Sequence, residues 1–541
     1  MLVEKNEKLK TAQQLSESHA GFTVSTCPAT GEKIGEFAVN TVKEVEEAIR
    51  RAKIAQPLWN QMPLAQRIKH IRKIRDYIMD HLDEIAQTIS QDAGKTRVDA
   101  MITEVVPACM AISYYCRKAR GFLKPHRLRA GNIISYSIGK RSKMFRSPFG
   151  VIGIISPWNY PYAIPFSEVI MALLAGNSVV LKAASETQAV GHILKATIEA
   201  AELPPDVFTY VNLPGSLAGD AFLDGGVDKL FFTGSVAIGK YLMKKASETL
   251  TPVSLELGGN DPMIVCEDAD LKRAAAGAVW AGIQNAGQSC GGVERIYVDQ
   301  KVYSDFMTLL KKMVESLRLG PDRDFNVDIG AVTTRRQMET IRSHIDDAIN
   351  KGARIFARSQ CPLEQKGQFL PAVVLSEVNH DMLVMKDETF GPVLGVMPFN
   401  DIDEAIGLAN DSYLGLTASI WSRDRKKAVK IARHIQAGAV TINDHLLSHG
   451  FAETPWGGFK QSGIGRTHGE LGFAEMTEPQ CIVNDILPFA RKQLFWHPHS
   501  KSVYNGSKGI SLFLYGRNLF ERVNGAYKML RVMPRMFWSG L

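Results

Sequence analysis

Several common signatures of function are missing from this chain of 541 residues. G-x-G-x-x-G occurs nowhere, so the standard dinucleotide fingerprint cannot be claimed. H-E-x-x-H and C-x-x-C are absent too, which removes the commonest zinc patterns. The seven cysteines, at 27, 109, 116, 266, 290, 361 and 481, are odd in number and irregularly spaced. That argues against a disulfide framework and predicts a reducing, cytoplasmic setting. Residues 1–20 are polar and charged, with no apolar core of a secretory signal. Long uncharged runs are scarce. Residues 147–167 carry no charge, but Pro148, Pro157, Pro161 and Pro165 would break a spanning helix, and residues 169–181 are too few. No transmembrane segment is predicted.

What is present fits a large globular protein. Hydrophobic residues make up 45% and charged residues 22%, which excludes disordered and collagen-like classes. The length exceeds one ordinary core, so two or more domains are expected. Residues 488–541 hold nine Lys/Arg against one acid, Glu521, so this tail carries the whole net charge of +8. A basic excess confined to a tail, without a recognition motif, disfavours nucleic-acid binding.

Apolar spacing through residues 42–91 predicts amphipathic helices. Alternating runs at 133–138 and 143–146 suggest a hairpin. From Gly150 onward, strand-like runs at 150–156, 178–182, 208–213, 229–234 and 252–257 alternate with helical segments. Alternation of this kind implies a parallel sheet with right-handed crossovers. Ligands bind beyond the carboxyl ends of such strands, which directs attention to residues 156–159, 182–185, 234–235 and Glu256. A second α/β stretch begins near Asp268.

Three pattern matches fail on inspection. Gly234 to Lys240 has most of a P-loop, but Tyr241 stands where the Mg²⁺-binding hydroxyl belongs. Gly287-Gln-Ser-Cys-Gly291 matches G-x-S-x-G, yet helix precedes it and strand follows, the reverse of a nucleophile elbow. His445 and His449 lack further ligands nearby and read as an ordinary surface or loop pair, so no metal site is expected.

Cys290, in N-A-G-Q-S-C-G-G, is the remaining nucleophile candidate. Its flanking glycines permit close approach of substrate and backbone amides, and a thiol needs only a base or positive field to react. Buried packing is the alternative. Glu256 ends an apolar strand and is either a base or half of a buried salt bridge. Asn159, in P-W-N-Y-P, is either an amide donor to an oxyanion or a turn former.

Taken together, these residues resemble the aldehyde dehydrogenase superfamily over about residues 27–485. The matching pieces are P-W-N-Y-P (157–161), V-V-L-K (179–182), F-T-G-S-x-x-x-G (232–239), L-E-L-G-G (255–259), G-Q-S-C (287–290), E-T-F-G-P (388–392) and P-W-G-G-F-K-Q-S-G (455–463). The resemblance implies that Cys290 attacks the aldehyde, that Asn159 and the Cys290 N–H form an oxyanion hole, and that Glu256 activates the hydrolytic water. It implies an NAD or NADP cofactor held by Ser156, Trp158, Lys182, Ser185, Gly234, Ser235, Glu388 and Phe390. NAD-preferring members commonly carry glutamate three residues after the lysine; Ser185 stands there, with Glu186 next, which predicts real NADP⁺ use.

The expected architecture is α/β and aldehyde dehydrogenase-like. A Rossmann-type parallel-sheet cofactor domain (1–130 and 148–256) joins an α/β catalytic domain (257–465) and a small β oligomerisation flap (131–147 with 470–487). Residues 488–541 form a basic amphipathic C-terminal extension. Within it, Leu512, Leu519, Val523, Tyr527 and Leu530 fall on one face of a helix over 511–533. This face reads either as a peripheral membrane contact or as packing over its own oligomer. A homodimer or homotetramer is implied by analogy. The functional alternatives are a coenzyme A-acylating aldehyde dehydrogenase and a catalytically silent scaffold.

Overall fold

A computed structural model describes residues 21–129, 131, 139–360 and 367–538. The chain divides into two units, Met1–Phe122 with Pro148–Thr477, and Leu123–Ser147 with Glu478–Leu541.

Within the first unit, one sheet runs in the order Gly463–Ile464, Val253–Glu256, Lys229–Thr233, Val151–Ile155, Ser178–Lys182 and Phe208–Val211. All neighbours are parallel except Gly463–Ile464, which runs antiparallel to Val253–Glu256. Val151–Ile155 and Ser178–Lys182 are buried throughout, as continuous apolar strands covered on both faces must be. The chain order reverses beside Val151–Ile155, which pairs with Ser178–Lys182 on one side and Lys229–Thr233 on the other. That reversal opens a crevice at the carboxyl ends of the strands.

The second sheet runs Arg354–Arg358, Val373–Ser376, Val393–Phe399, Val293–Asp299, Asp261–Val265, Thr417–Trp421 and Ala439–Ile442. Only Arg354–Arg358 is antiparallel to its neighbour. Asp261 pairs with Val293, and this register matters for chemistry. Glu256 closes the last long strand of the first sheet five residues before Asp261, while Cys290 lies three residues before Val293. Pairing the two strand starts therefore carries the carboxyl end of one sheet to the amino ends of the other.

The predicted helices at 42–91 are Val42–Gln61, Leu64–Asp80 and Leu82–Ala93. The first opens on a capping box in which Thr41 and Glu44 satisfy each other's backbone N–H. Between Arg97–Ala100 and Val106–Leu123 the helix widens into a π-turn, Met101–Val105.

The second unit holds a three-stranded sheet, ordered Thr477–Asp485, Lys140–Pro148, His126–Leu128. The expected run at 143–146 lies in the middle strand, whose described hairpin partner is His126–Leu128; residues 133–138 lie outside the described residues. The single helix expected over 511–533 is replaced by two, Lys501–Tyr515 and Leu519–Val532. Gly516 ends the first, and the Asn518 side chain caps the second by accepting from the Glu521 N–H at 2.8 Å. A Cβ on Gly525 would sit 2.3 Å from the Phe513 nitrogen, so Gly525 lets the two backbones touch. Leu512 therefore belongs to the first helix, apart from Leu519, Val523, Tyr527 and Leu530 on the second. No helix among the described residues is long and apolar enough to cross a membrane.

Candidate active site

Cys290 sits in a loop between helix Leu271–Ile283 and strand Val293–Asp299. Three left-handed residues lead into it, Asn285 and Ala286 at φ 54° and Gly287 at φ 71°. The first two store strain that the surroundings must offset. Asn285 is held by its Nδ2, which donates to the Asn159 carbonyl at 3.0 Å and to the Gln288 carbonyl at 3.1 Å. Gly287 is required twice over, since a Cβ there would lie 2.1 Å from the Gly391 backbone.

One cleft brings Cys290, Asn159 and Glu256 together with Trp158, Gly234, Ser235, Glu388 and Phe390. Asn159 Nδ2 donates to the Gln288 carbonyl at 3.1 Å, which leaves its second hydrogen free to serve an oxyanion. Its carbonyl also accepts from Lys95 Nζ at 2.7 Å. Lys95 pairs with Glu104 at 2.7 Å, both side chains wholly buried. Glu104 lies in the π-turn and accepts from the N–H groups of Tyr162 (2.8 Å) and Ala163 (3.1 Å), where helix Ala163–Ala175 begins.

Glu256 is buried, and neither carboxylate oxygen has a hydrogen-bond partner among the described residues. The salt-bridge alternative therefore falls. Desolvation raises its pKa well above the usual carboxylate value, and the nearby Glu168 raises it further. Desolvation also pushes the Cys290 thiol up, with Glu388, Asp261 and Glu256 adding to the shift and the residue's own N–H opposing it. The resting pair is a protonated thiol beside a reluctant carboxylate.

Glu388 accepts from the Gly259 N–H at 3.1 Å, and a Cβ on Gly258 would lie 2.3 Å from its other oxygen. Phe390, at φ 51°, meets the Trp158 ring edge-on at 5.4 Å. Beneath them Glu294 accepts from the N–H groups of Thr389 (2.9 Å) and Phe390 (2.7 Å), fixing this segment. Lys182, Ser156 and Ser185 lie outside the lining of the cleft. Ser156 instead ties two strand ends, its N–H donating to the Lys182 carbonyl at 3.0 Å. Glu186, one residue after Ser185, does line the cleft. Lys182 is a buried residue whose Nζ makes no hydrogen bond among the described residues, and desolvation lowers its pKa to about 8. An ammonium free of hydrogen bonds and the glycine beside Glu388 both suit a dinucleotide.

Of the surface or loop readings of the histidine pair, the surface one fails at His445, which lies in a loop but is not exposed. His445 is buried, its Nε2 within 3.0 Å of the Gly291 carbonyl and of Thr417 Oγ1. His449 packs on Trp456 and His468 beside Cys290. Desolvation lowers His445 and His449 to about 4, so both are neutral and serve packing and hydrogen bonding. Among the described residues no group of three or more His, Cys, Asp or Glu could hold a metal.

Sequence reasoning missed Lys95, Glu104, Glu294 and Glu168. For Glu168 a signal existed, since it is the single charged residue between Arg146 and Lys182. It is buried, shares a small cavity with Glu256 and Cys290, and desolvation raises it to about 8.

The Aldehyde dehydrogenase family profile matches residues 16–482. A Methylomonas sp. protein named 4,4'-diapolycopene aldehyde oxidase is 37% identical over 494 residues, 91% of each chain. A Mycobacterium ulcerans (strain Agy99) relative, provisionally named as an NADP⁺ succinate-semialdehyde dehydrogenase, is 37% identical over 84% of this chain and 86% of its own. Among solved structures, the aldehyde dehydrogenase of Brucella melitensis biovar abortus 2308 superposes with TM-score 0.81 at 32% identity, covering 86% of this chain and 94% of that one. The NAD⁺ complex of the Bacillus cereus aldehyde dehydrogenase gives 0.81 at 30% identity, covering 88% and 98%. The chain belongs to the aldehyde dehydrogenase family of enzymes.

Proposed function

We propose that this enzyme oxidises an aldehyde to its carboxylic acid with NAD⁺ or NADP⁺, through a thiohemiacetal and then a thioester on Cys290. The observation that carries the reading is the meeting of Cys290, Asn159 and an unpartnered Glu256 in one cleft. Lys182, Trp158, Gly234, Ser235, Glu388 and Phe390 would hold the cofactor, with Glu186 beside them. When bound, the nicotinamide supplies the two-electron oxidant. Cys290 Sγ forms a bond to the carbonyl carbon as its thiol proton passes to the Glu256 carboxylate, which returns it to solvent before the second half. The oxygen gathers negative charge, accepted by the free Asn159 hydrogen and the Cys290 N–H, and a donor of this type contributes about 2.7–4 kcal/mol. In the second half, Glu256 takes a proton from water as that water attacks the thioester, and the Cys290 thiolate departs from the acid. A carboxylate with no competing hydrogen bond is free to orient that water. The test is Cys290→Ser, for which turnover falls by a factor on the order of 10⁴–10⁶. A variant as fast as the parent removes the mechanism.

The same reading extends to partners and location. Strand Thr477–Asp485 is exposed along nearly all its length, including Ile482 and Val483. An uncovered strand of this kind invites a second copy, giving a homodimer or homotetramer. Light scattering on Ile482→Asp/Val483→Asp, expected to be monomeric, tests this; an unchanged mass refutes it. On the second tail helix Leu519, Phe520, Val523, Tyr527 and Leu530 share one face, each more than half exposed. Arg522 borders that face on one side and Arg531 on the other. Apolar face and basic border together suit a cytoplasmic enzyme lying at an anionic membrane surface, where each basic residue contributes about 1 kcal/mol.

A further inference from the structure

Cys290 is reached from two sides. Besides the cofactor cleft, a second hollow is lined by Ile102, Thr103, Pro107, Trp280, Leu447 and Trp456, and Cys290 lines both. No Lys or Arg is among its lining residues. Its titratable groups besides the thiol are Tyr160 and His449. Desolvation raises the Tyr160 hydroxyl and lowers His449 to about 4, so neither offers a positive charge near neutral pH. Among the polar lining groups, Gln284 donates to the Tyr160 hydroxyl. A substrate carboxylate entering here would lose its water and gain no cation, which is unfavourable. A hydrocarbon chain would meet two indoles and aliphatic side chains instead.

The apolar lining continues outward. Ile102 and Leu447 line the hollow and are themselves 49% and 45% exposed, so the hollow opens at these two residues. From Ile102 the surface runs on through Val106 and Met110, each four residues further along the helix and 43% and 40% exposed. A contiguous exposed apolar strip leading into a reactive site calls for an occupant. The π-turn Met101–Val105 sets this up, turning Ile102 and Thr103 to the hollow while Glu104 points inward to Lys95.

We propose that the substrate is an uncharged aldehyde with a long apolar chain, lodged between Trp280 and Trp456 and trailing over Ile102, Val106 and Met110. This inference rests on the Cys290 reading given above and adds the substrate class to it. Rising chain length increases kcat/KM about fourfold for each methylene taken into the hollow. Acidic aldehydes are rejected by the lack of a cation.

The experiment compares propanal, hexanal and octanal with succinic semialdehyde, read by NAD(P)H absorbance. The expected result is a rise along the alkyl series, with succinic semialdehyde at least a hundredfold below octanal in kcat/KM. Leu447→Arg, which places a cation at the mouth, is expected to narrow that gap at least tenfold. A second readout needs no turnover: quenching of tryptophan fluorescence in Cys290→Ser by octanal and by succinic semialdehyde, with the former at least a hundredfold tighter. A flat chain-length series, or succinic semialdehyde equal to or better than octanal in either assay, overturns the inference. Undiminished turnover by Cys290→Ser would instead overturn the mechanism, while the binding comparison would still decide the substrate class.

Discussion

Replacing Lys95 by methionine tests how the oxyanion donor is held. In the parent, the Lys95 ammonium is wholly buried between Glu104 at 2.7 Å and the Asn159 carbonyl at 2.7 Å. Methionine has nearly the same length but neither charge nor donor. The substitution leaves Glu104 buried without its counter-ion, and breaking such a pair on one side typically costs about 3–5 kcal/mol. It also frees one of the two anchors on the Asn159 carbonyl, leaving only the Asn285 amide at 3.0 Å. If Asn159 then strays from the oxyanion, kcat falls by about 10²–10³. Adding Glu104→Leu removes the orphaned charge and restores part of the stability. The rescue is incomplete, because the Tyr162 and Ala163 N–H groups lose their acceptor, at about 1–3 kcal/mol each. Chemical unfolding and steady-state kinetics on the parent, both single variants and the double variant complete the cycle. A Lys95→Met protein with parental kcat and parental stability would refute the idea that this pair positions Asn159.

Glu256 must be ionised to accept a proton from water, and its pKa is raised, first by burial and then by Glu168. The kcat limb that rises with pH should therefore lie well above the ordinary carboxylate range, move to lower pH in Glu168→Gln, and vanish in Glu256→Gln; a limb unmoved by Glu168→Gln counts against the coupling. Glu168 itself rises from its ordinary 4.5 to about 8 on folding, so the folded state holds its proton more tightly and stability falls as pH climbs across that window. Glu168→Gln should accordingly be more stabilising at pH 8 than near pH 4.5, as unfolding midpoints at the two pH values will show. With Ser185 in place of a carboxylate and Glu186 one residue on, NADP⁺ should support turnover alongside NAD⁺; an NADP⁺ rate under a hundredth of the NAD⁺ rate would remove that reading. Flotation with anionic liposomes should carry the parent enzyme upward and leave Phe520→Glu/Val523→Glu behind, and equal flotation of the two would dismiss the membrane contact.

Local chemistry was enough to single out the residues proposed to react. Cys290 stood out because glycines flank a lone thiol, and Glu256 because a carboxylate ends an otherwise apolar strand. Strand–helix alternation from Gly150 announced a parallel sheet, since continuous apolar runs of that length survive only when covered on both faces. Where the sequence misled, the missing information was non-local. The tail read as one helix because periodicity carries through Gly516, but two backbones in contact at Gly525 favour a hairpin. His445 read as a surface or loop residue, whereas the Gly291 carbonyl that meets its ring lies 154 residues away in the chain.

Composition and pattern, then, pointed to the class of fold and to the proposed nucleophile, because both readings depend on neighbours a few residues apart. Tertiary structure alone decided what surrounds that nucleophile. Lys95 reaches the Asn159 carbonyl from 64 residues away, Glu168 reaches Glu256 only through folding, and the apolar hollow at Cys290 is assembled from distant segments. Burial removes water from all of them at once, and that shared desolvation is a property of no single stretch of chain.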